Sequence, residues 1–316
     1  MISLSGRNVF VTGAAGFVGP HLARALAARG ATVHGYGLGG PVAEPAIARW
    51  TEASLSDDAA LRAALSAASP VAVVHLAGQS SAARSFEAPE ETFRANVAGT
   101  WGLLEAVRDT AREARVLVVG TSEVYGPSAP GTRTNELAPF RPVSPYALSK
   151  AAADQLAASF GVSFGLDVVR ARPFGHTGPG QTPRFVIPAW AEQVARIERG
   201  ELEPVLRVGN LEVTRDLTDV RDMVEGYCAL LEKGVRGEAY NLCRGEGAKL
   251  TDVVRTIAAA SRVPVTVEVD PARLRPADVP WLVGDPSRAA ADTGWSARIP
   301  LERTLSDVLE EWRAKR

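Results

Sequence analysis

Apolar residues recur along the first half of this chain in two alternating rhythms. Val9–Val11 is a short apolar run ending in Thr12-Gly13, the pattern of a buried strand. Phe17–Arg29 then follows a helical period, with Leu22, Leu26 and Ala27 expected inward and Gly30 as the stop. Ala31–Gly35 reads as a second strand, Leu61–Leu65 as part of a helix, and Val71–Ala77 as a continuous apolar strand. Glu90–Arg112 predicts one long helix, Val116–Val119 a buried strand, Pro145–Phe160 a helix and Asp167–Arg172 a strand. Near-continuous Val/Leu runs separated by helices predict an α/β fold whose parallel sheet is covered on both faces.

The texture changes after Phe174. Gly175–Pro183 is rich in Gly and Pro and predicts a loop. Helices are expected near Pro188–Arg199, Asp219–Lys233, Leu250–Ala260 and Leu301–Ala314, with short strands near Val205–Val208 and Ala239–Leu242. Pro271–Pro280 reads as an Arg- and Pro-rich loop. This predicts a sheet domain over residues 1–170, with returning segments at about 209–243. A smaller, discontinuous lobe over 171–208 and 244–316 would cap the carboxyl edge of the sheet.

Composition excludes several classes. The 316 residues carry a net charge of −1, so no broad attraction to nucleic acid or membrane is expected. No apolar run approaches the roughly 20 residues that span a bilayer. Residues 1–7 lack the plan of a secretion signal, and the two cysteines form no disulfide or metal framework. A cytoplasmic location is the expectation. His21, His34, His75 and His176 are too scattered for a local metal motif, so no metal is expected.

Three motifs carry chemistry. Gly13-Ala14-Ala15-Gly16-Phe17-Val18-Gly19 lies where the first strand meets the first helix. Glycines there allow a tight turn and close approach to a pyrophosphate, and the helix N-terminus favours an anion. Val33–Gly40 has no acidic residue to hold the ribose hydroxyls of NAD, so NADP(H) is favoured and NAD(H) is not excluded; Arg49 is the nearest cation that folding back would supply. Second, the chain has only four lysines, and Lys150 stands four residues after Tyr146, on one helical face. A neighbouring ammonium favours the phenolate, so the pair predicts a tyrosine with a lowered pKa that exchanges a proton in C–OH/C=O interconversion. Third, Val119-Gly120-Thr121-Ser122-Glu123 ends a strand. Thr121 is placed to bond a substrate oxygen, and Glu123 to act as a base. Ser122 lacks the Gly-x-Ser-x-Gly spacing of a serine nucleophile.

Taken together, these motifs resemble an extended short-chain dehydrogenase/reductase that acts on nucleotide sugars, a Rossmann-type doubly wound sheet of about seven strands. Ala171–Gln181, Phe185–Pro188, Val208–Leu211 and Arg215–Asp222 are similar to the branch of GDP-mannose 4,6-dehydratases and GDP-4-keto-6-deoxy-mannose reductases. His75–Gln79, Leu282–Asp285 and Thr293–Trp295 resemble the reductases most. The resemblance implies catalytic roles for Thr121, Tyr146, Lys150 and Glu123. It implies a cofactor site made by Gly13, Ala15, Gly16, Phe17 and Val18, with Ser54 and Leu55 at the adenine. Leu76, Ala77, Gly78, Asn96 and Pro173 would complete that site with Tyr146 and Lys150. Gln79, Ser122, Glu123, Gly175, His176, Phe185, Val186 and Asp278 would face a GDP-linked sugar, with Arg215 and Arg275 clamping its diphosphate. It also implies a homodimer built from the helices at 90–112 and 145–160, consistent with apolar Leu103, Leu104 and Val107.

Departures from the family pattern bear on the reaction. Gly175 stands where the branch has Asn beside the sugar, and Ser54 where an Asp often holds adenine. Pro20 directly follows Gly19, within the first helical turn. Gly37–Glu44 has no arginine, unlike the loop of the dehydratases, so reduction of a C4 ketone with NAD(P)H is the expected reaction. A dehydratase or epimerase with a tightly held cofactor is the alternative, and a non-catalytic dinucleotide sensor a third reading.

Overall fold

The computed structural model describes residues 2–40, 43–274 and 279–315. The chain opens with β1 (Asn8–Thr12), α1 (Val18–Ala28), β2 (Thr32–Gly37), β3 (Ile47–Glu52), α2 (Asp58–Ala68) and β4 (Ala72–His75). It continues through α3 (Ala82–Glu87), α4 (Pro89–Phe93), a π-helical turn at Arg94–Ala98 and α5 (Gly99–Thr110). Next come β5 (Arg115–Val119), a 3-10 turn at Ser122–Tyr125, α6 (Pro145–Phe164) and β6 (Asp167–Pro173). The rest is β7 (Gly175–Thr177), α7 (Val186–Glu198), β8 (Val205–Val208), β9 (Thr214–Asp219), α8 (Val220–Lys233) and β10 (Ala239–Leu242). β11 (Gly247–Lys249), α9 (Leu250–Ala259), β12 (Thr266–Val269), β13 (Trp281–Leu282), α10 (Ser287–Thr293) and α11 (Leu301–Ala314) complete it.

Seven strands form one parallel sheet in the order β10-β6-β5-β4-β1-β2-β3. The expected Rossmann-type sheet of about seven strands is therefore present. The chain builds outward from β1 in one direction, then restarts at β4 in the other. The crevice between the carboxyl ends of β1 and β4 is the switch point where such sheets bind ligands. One apolar layer joins α1 and α8 to the sheet through Leu22, Leu26, Met223 and Tyr227. The other joins α2, α5 and α6 through Leu61, Leu65, Leu103 and Phe160.

Several expectations are corrected. Ala27 is exposed, and Ala23 and Ala25 are buried in its place. Leu103, Leu104 and Val107 are fully buried against the sheet, so they are not the dimer surface. The exposed apolar residues of that flank are Trp101 on α5 and Leu148, Val162 and Phe164 on α6. The single helix at 90–112 is interrupted by the π-turn. The return near 209 begins at Val220, because β9 pairs with β7, β11 and β13 in a second sheet. That sheet, the parallel pair β8–β12, and α7, α9 and α11 form the smaller lobe with its own core around Trp190, Leu206, Val253 and Leu309.

A buried charge cluster ties α6 to the sheet. Asp154, 2% exposed, accepts two bonds from Arg172, at 2.9 and 3.0 Å, and one of 2.8 Å from Arg170. Phe140 and Tyr125 lie against the Arg172 guanidinium, and the Tyr125 hydroxyl accepts from Arg172 and donates to Asn241. Breaking a buried pair leaves its partner's charge uncompensated, at about 3–5 kcal/mol. Asp154→Asn should lose roughly that amount in urea unfolding, and Asp154→Asn with Arg172→Met should recover part of it. A loss under about 1 kcal/mol would mean that water screens the cluster.

Candidate active site

A cleft of about 1480 Å³ runs over the carboxyl ends of the central strands, between the sheet and the smaller lobe. Its first wall is the turn between β1 and α1. Gly13 has φ +69, and a Cβ there would stand 2.6 Å from the Ala77 nitrogen. At Gly19 a Cβ would stand 2.1 Å from the Ala14 carbonyl oxygen. Only glycine fits at either position. α1 starts with no side-chain cap and no acidic residue in its first turn, so its leading N–H groups suit an anion. These features fit the pyrophosphate of a dinucleotide. Ser54 and Leu55 line the far end with Tyr36, Leu38 and Ser56. The Tyr36 hydroxyl is fixed on the Ser54 carbonyl at 2.8 Å, and the Ser54 and Ser56 hydroxyls bond each other at 2.8 Å. Arg49 is exposed on β3 and does not line the cleft, so its expected fold-back does not occur.

Behind this wall runs a directed chain of hydrogen bonds. The Ala77 N–H donates to Thr12 Oγ1 at 3.3 Å, and Thr12 Oγ1 lies 2.8 Å from His75 Nδ1. His75 Nε2 lies 3.1 Å from Thr100 Oγ1, which donates to the Asn96 carbonyl at 2.6 Å. Thr100 has one proton and spends it on Asn96, so His75 must donate from Nε2 and accept at Nδ1. The ring is a neutral relay, and burial pushes its pKa down to about 3. Asn96 does not line the cleft, contrary to expectation. It acts from behind, where its amide accepts from the Gln79 N–H and donates to the Gln79 carbonyl and to Ser149 Oγ. The π-turn places it there, and Ser149 in turn donates to the Tyr146 carbonyl at 2.7 Å.

The reacting end gathers Thr121, Ser122, Glu123, Tyr146 and Lys150 on one wall. Ser144 caps α6 by accepting from the Ala147 N–H, and Pro145 takes the first helical position. Tyr146, Lys150 and Asp154 then fall on one face at four-residue steps. The lowered tyrosine pKa expected from the sequence is corrected. Burial pushes the Tyr146 phenol up and the Glu123 carboxylate adds to that, against a hydrogen bond with Thr121. Lys150 is itself desolvated and pushed down to about 8, with Asp154 opposing. Its ammonium donates to the Val119 carbonyl at 2.6 Å. At neutral pH the phenol is protonated.

The remaining sequence candidates divide. Pro173, Gly175, His176, Phe185, Val186 and Arg215 line the lobe side of the cleft. A Cβ on Gly175 would meet the Asp216 carbonyl at 2.9 Å, so the tight β7–β9 contact explains the glycine. His176 Nδ1 donates to the Phe174 carbonyl, and burial keeps the ring neutral. Arg215 is pinned by the Thr214 and Val279 carbonyls. Gln79 lines the cleft, but its amide is committed to Ser81 and Thr92. Arg275 and Asp278 lie outside the described residues. Sequence reading missed Tyr36, Gln181 and Tyr227 in the lining. Tyr36 was within reach, since it lies one residue before the end of β2 and its carbonyl accepts from the Gly13 N–H. No group of three or more His, Cys, Asp or Glu among the described residues could hold a metal ion.

Comparison with known proteins places this geometry. The model of the family described as GDP-mannose 4,6 dehydratase matches residues 10–308. The GDP-6-deoxy-D-mannose reductase of Pseudomonas aeruginosa is 35% identical, over 98% of each chain. A GDP-mannose 4,6-dehydratase of Vibrio cholerae is 29% identical over 96% of this chain and 93% of its own. Among solved structures, RMD from Pseudomonas aeruginosa complexed with NADPH superposes with a TM-score of 0.87 at 33% identity, covering 98% of this chain and 99% of that one. The UDP-glucose 4-epimerase of Thermus thermophilus, solved with NAD, gives 0.87 at 31% identity with the same coverage. Matches that run end to end on this sheet and cleft make the chain an enzyme of the short-chain dehydrogenase/reductase class. Within that class it belongs to the GDP-mannose 4,6 dehydratase family.

The neutral relay has a measurable signature. His75 has a folded pKa below its unfolded value of 6.5, so the unfolded chain binds the extra proton between pH 6.5 and about 3. Stability rises with pH through that window and is lost as pH falls. The advantage of wild type over His75→Gln in urea unfolding should narrow by about 1.4 kcal/mol per pH unit between pH 6 and 5. An advantage constant with pH would show that the ring titrates normally.

Proposed function

We propose that this enzyme reduces the C4 ketone of a GDP-linked 4-keto-6-deoxy sugar with NAD(P)H. The observation that carries the proposal is the gathering of Thr121, Tyr146 and Lys150 in a cleft whose glycine turn fits a dinucleotide. A bound NAD(P)H supplies the hydride. Thr121 and Tyr146 both hold the ketone oxygen, and the Tyr146 O–H gives it a proton as negative charge develops. Lys150, held on the Val119 carbonyl in the same cleft, supplies the positive charge that favours the resulting phenolate until a proton returns. Arg215, fixed on two carbonyls, presents its guanidinium to the diphosphate. The end-to-end similarity to a GDP-6-deoxy-D-mannose reductase supports this substrate class.

NADPH is the favoured donor. The end of β2 carries no carboxylate to repel a 2′-phosphate, and the related RMD structure holds NADPH. NADH stays a possible donor, since other relatives bind NAD. The competing reading is a dehydratase, and Glu123 beside Tyr146 is the observation that favours it, as a base for the proton next to the ketone. Nicotinamide absorbance separates the two. Loss of one NADPH per GDP-4-keto-6-deoxy-mannose consumed is the expected result, and Tyr146→Phe should lower turnover by about 10²–10⁴-fold. A 4-keto product from GDP-mannose with no net cofactor change would replace the reductase with the dehydratase. Full turnover by Tyr146→Phe would remove the proton-donor role.

The enzyme also works as a homodimer in this reading, in the cytoplasm. Trp101 at 47% exposure, Leu148 at 56% and Val162 at 88% give α5 and α6 an apolar outer face for a second copy. Both thiols are free and buried, which suits a reducing compartment. No helix among the described residues is long and apolar enough to cross a membrane. Leu148→Glu should convert a dimer to a monomer in light scattering. A wild type that is already monomeric would overturn the assignment.

A further inference from the structure

Each tyrosine but one has its hydroxyl engaged. Of the five, Tyr36 donates to the Ser54 carbonyl, Tyr125 to Asn241 and Tyr240 to Asp292, and Tyr146 bonds Thr121. Tyr227 on α8 is fully buried, and its hydroxyl has no partner among the described residues. A buried hydroxyl without a partner is costly, whereas phenylalanine would fill the same space without that cost. Eight buried side-chain polar atoms lack a hydrogen-bond partner among the described residues, and Tyr227 is the only one of their residues that lines the cleft.

Its position defines the partner. α8 packs against α1, β5 and β6, and Tyr227 shares a core with Val11, Ala14 and Ala171 below the carboxyl ends of the strands. It is near enough to Tyr146 for a phenolate there to oppose ionisation of its own hydroxyl. Tyr227 therefore belongs to the reacting end of the cleft, away from the adenosine end at Tyr36 and Ser54. No described residue gives its hydroxyl a hydrogen-bond partner, which leaves the acceptor to a ligand.

We propose that the Tyr227 hydroxyl donates a hydrogen bond to an acceptor oxygen on the nicotinamide-side half of the bound dinucleotide. This rests on reading the cleft as a dinucleotide site. No bond is made or broken in the step. Tyr227 is a binding residue that fixes the depth at which the nicotinamide seats below Tyr146 and Thr121.

The test uses Tyr227→Phe, which keeps the ring and removes the oxygen. Titration calorimetry would compare NADPH with 2′,5′-ADP, a probe that carries the adenosine half alone. The variant should bind NADPH about three- to tenfold more weakly, the worth of one hydrogen bond, with 2′,5′-ADP unchanged. Without ligand its thermal midpoint should equal or exceed that of wild type, because an unpaired polar atom has been removed. Equal weakening of both probes, or unchanged NADPH affinity, overturns the proposal. So does a lowered midpoint without ligand at unchanged affinity, which would show an internal partner for the hydroxyl. Failure of wild type to bind NADPH or NADH would instead overturn the dinucleotide reading on which the proposal rests.

Discussion

A histidine that does not ionise holds this site together. The sequence Ala77 N–H, Thr12, His75, Thr100, Asn96 carbonyl runs in one direction, each member donating to the next. Such a chain works only while His75 is neutral with its proton on Nε2. A protonated ring would turn Nδ1 from acceptor to donor and leave Thr12 without its acceptor. Inside a protein each polarised bond strengthens its neighbours, so the chain behaves as one unit. It joins three structures that are distant in sequence: the glycine turn, the strand exit after β4 and the π-turn. Through Asn96 and Ser149 it reaches the backbone of Tyr146.

Burial sets the chemistry at the other end of that chain. The same desolvation that lowers the lysine raises the tyrosine, because burial disfavours the charged form of each. Asp154 opposes the shift on Lys150 from one helical turn below. Two arginines hold that carboxylate, and one of them is stacked on aromatic rings. The charge pattern under the site is thus built into the floor of the sheet and does not depend on flexible surface groups.

Much of this was legible in the sequence. Strands β1, β4 and β5 carry the apolar runs Val9–Val11, Ala72–Val74 and Val116–Val119, because both faces of a parallel sheet are covered. The glycine turn and the Tyr146–Lys150 spacing carried the site, since each demands particular residue types. β3 was missed because it is an edge strand, and Ile47–Glu52 mixes Arg, Trp and Thr without clean alternation. β7, β11 and β13 are two or three residues long, too short for any period. The direction of the Tyr146 shift was misread because spacing reveals a neighbour but not the depth of burial. Leu103, Leu104 and Val107 show the same limit: an apolar stripe does not say whether a sheet or a second copy covers it. Asn96 was expected at the cofactor from the resemblance, yet its position behind the wall depends on a helical irregularity with no local sequence signature.

That irregularity has a further consequence. A π-turn holds one more residue than the α-turn it replaces, and each residue in an α-helix advances about 100° around the axis. The extra residue is therefore an angular offset between two halves of a nearly continuous rod. Before it, the rod points Thr92 at Gln79; after it, Leu103 and Val107 meet the sheet while Trp101 looks outward. Deleting a single residue between Arg94 and Ala98 would leave a perfectly good helix, yet it would swing either the catalytic wall or the outer face out of phase. The wall of the cleft and the outer surface of the molecule are thus geared to each other through one inserted residue.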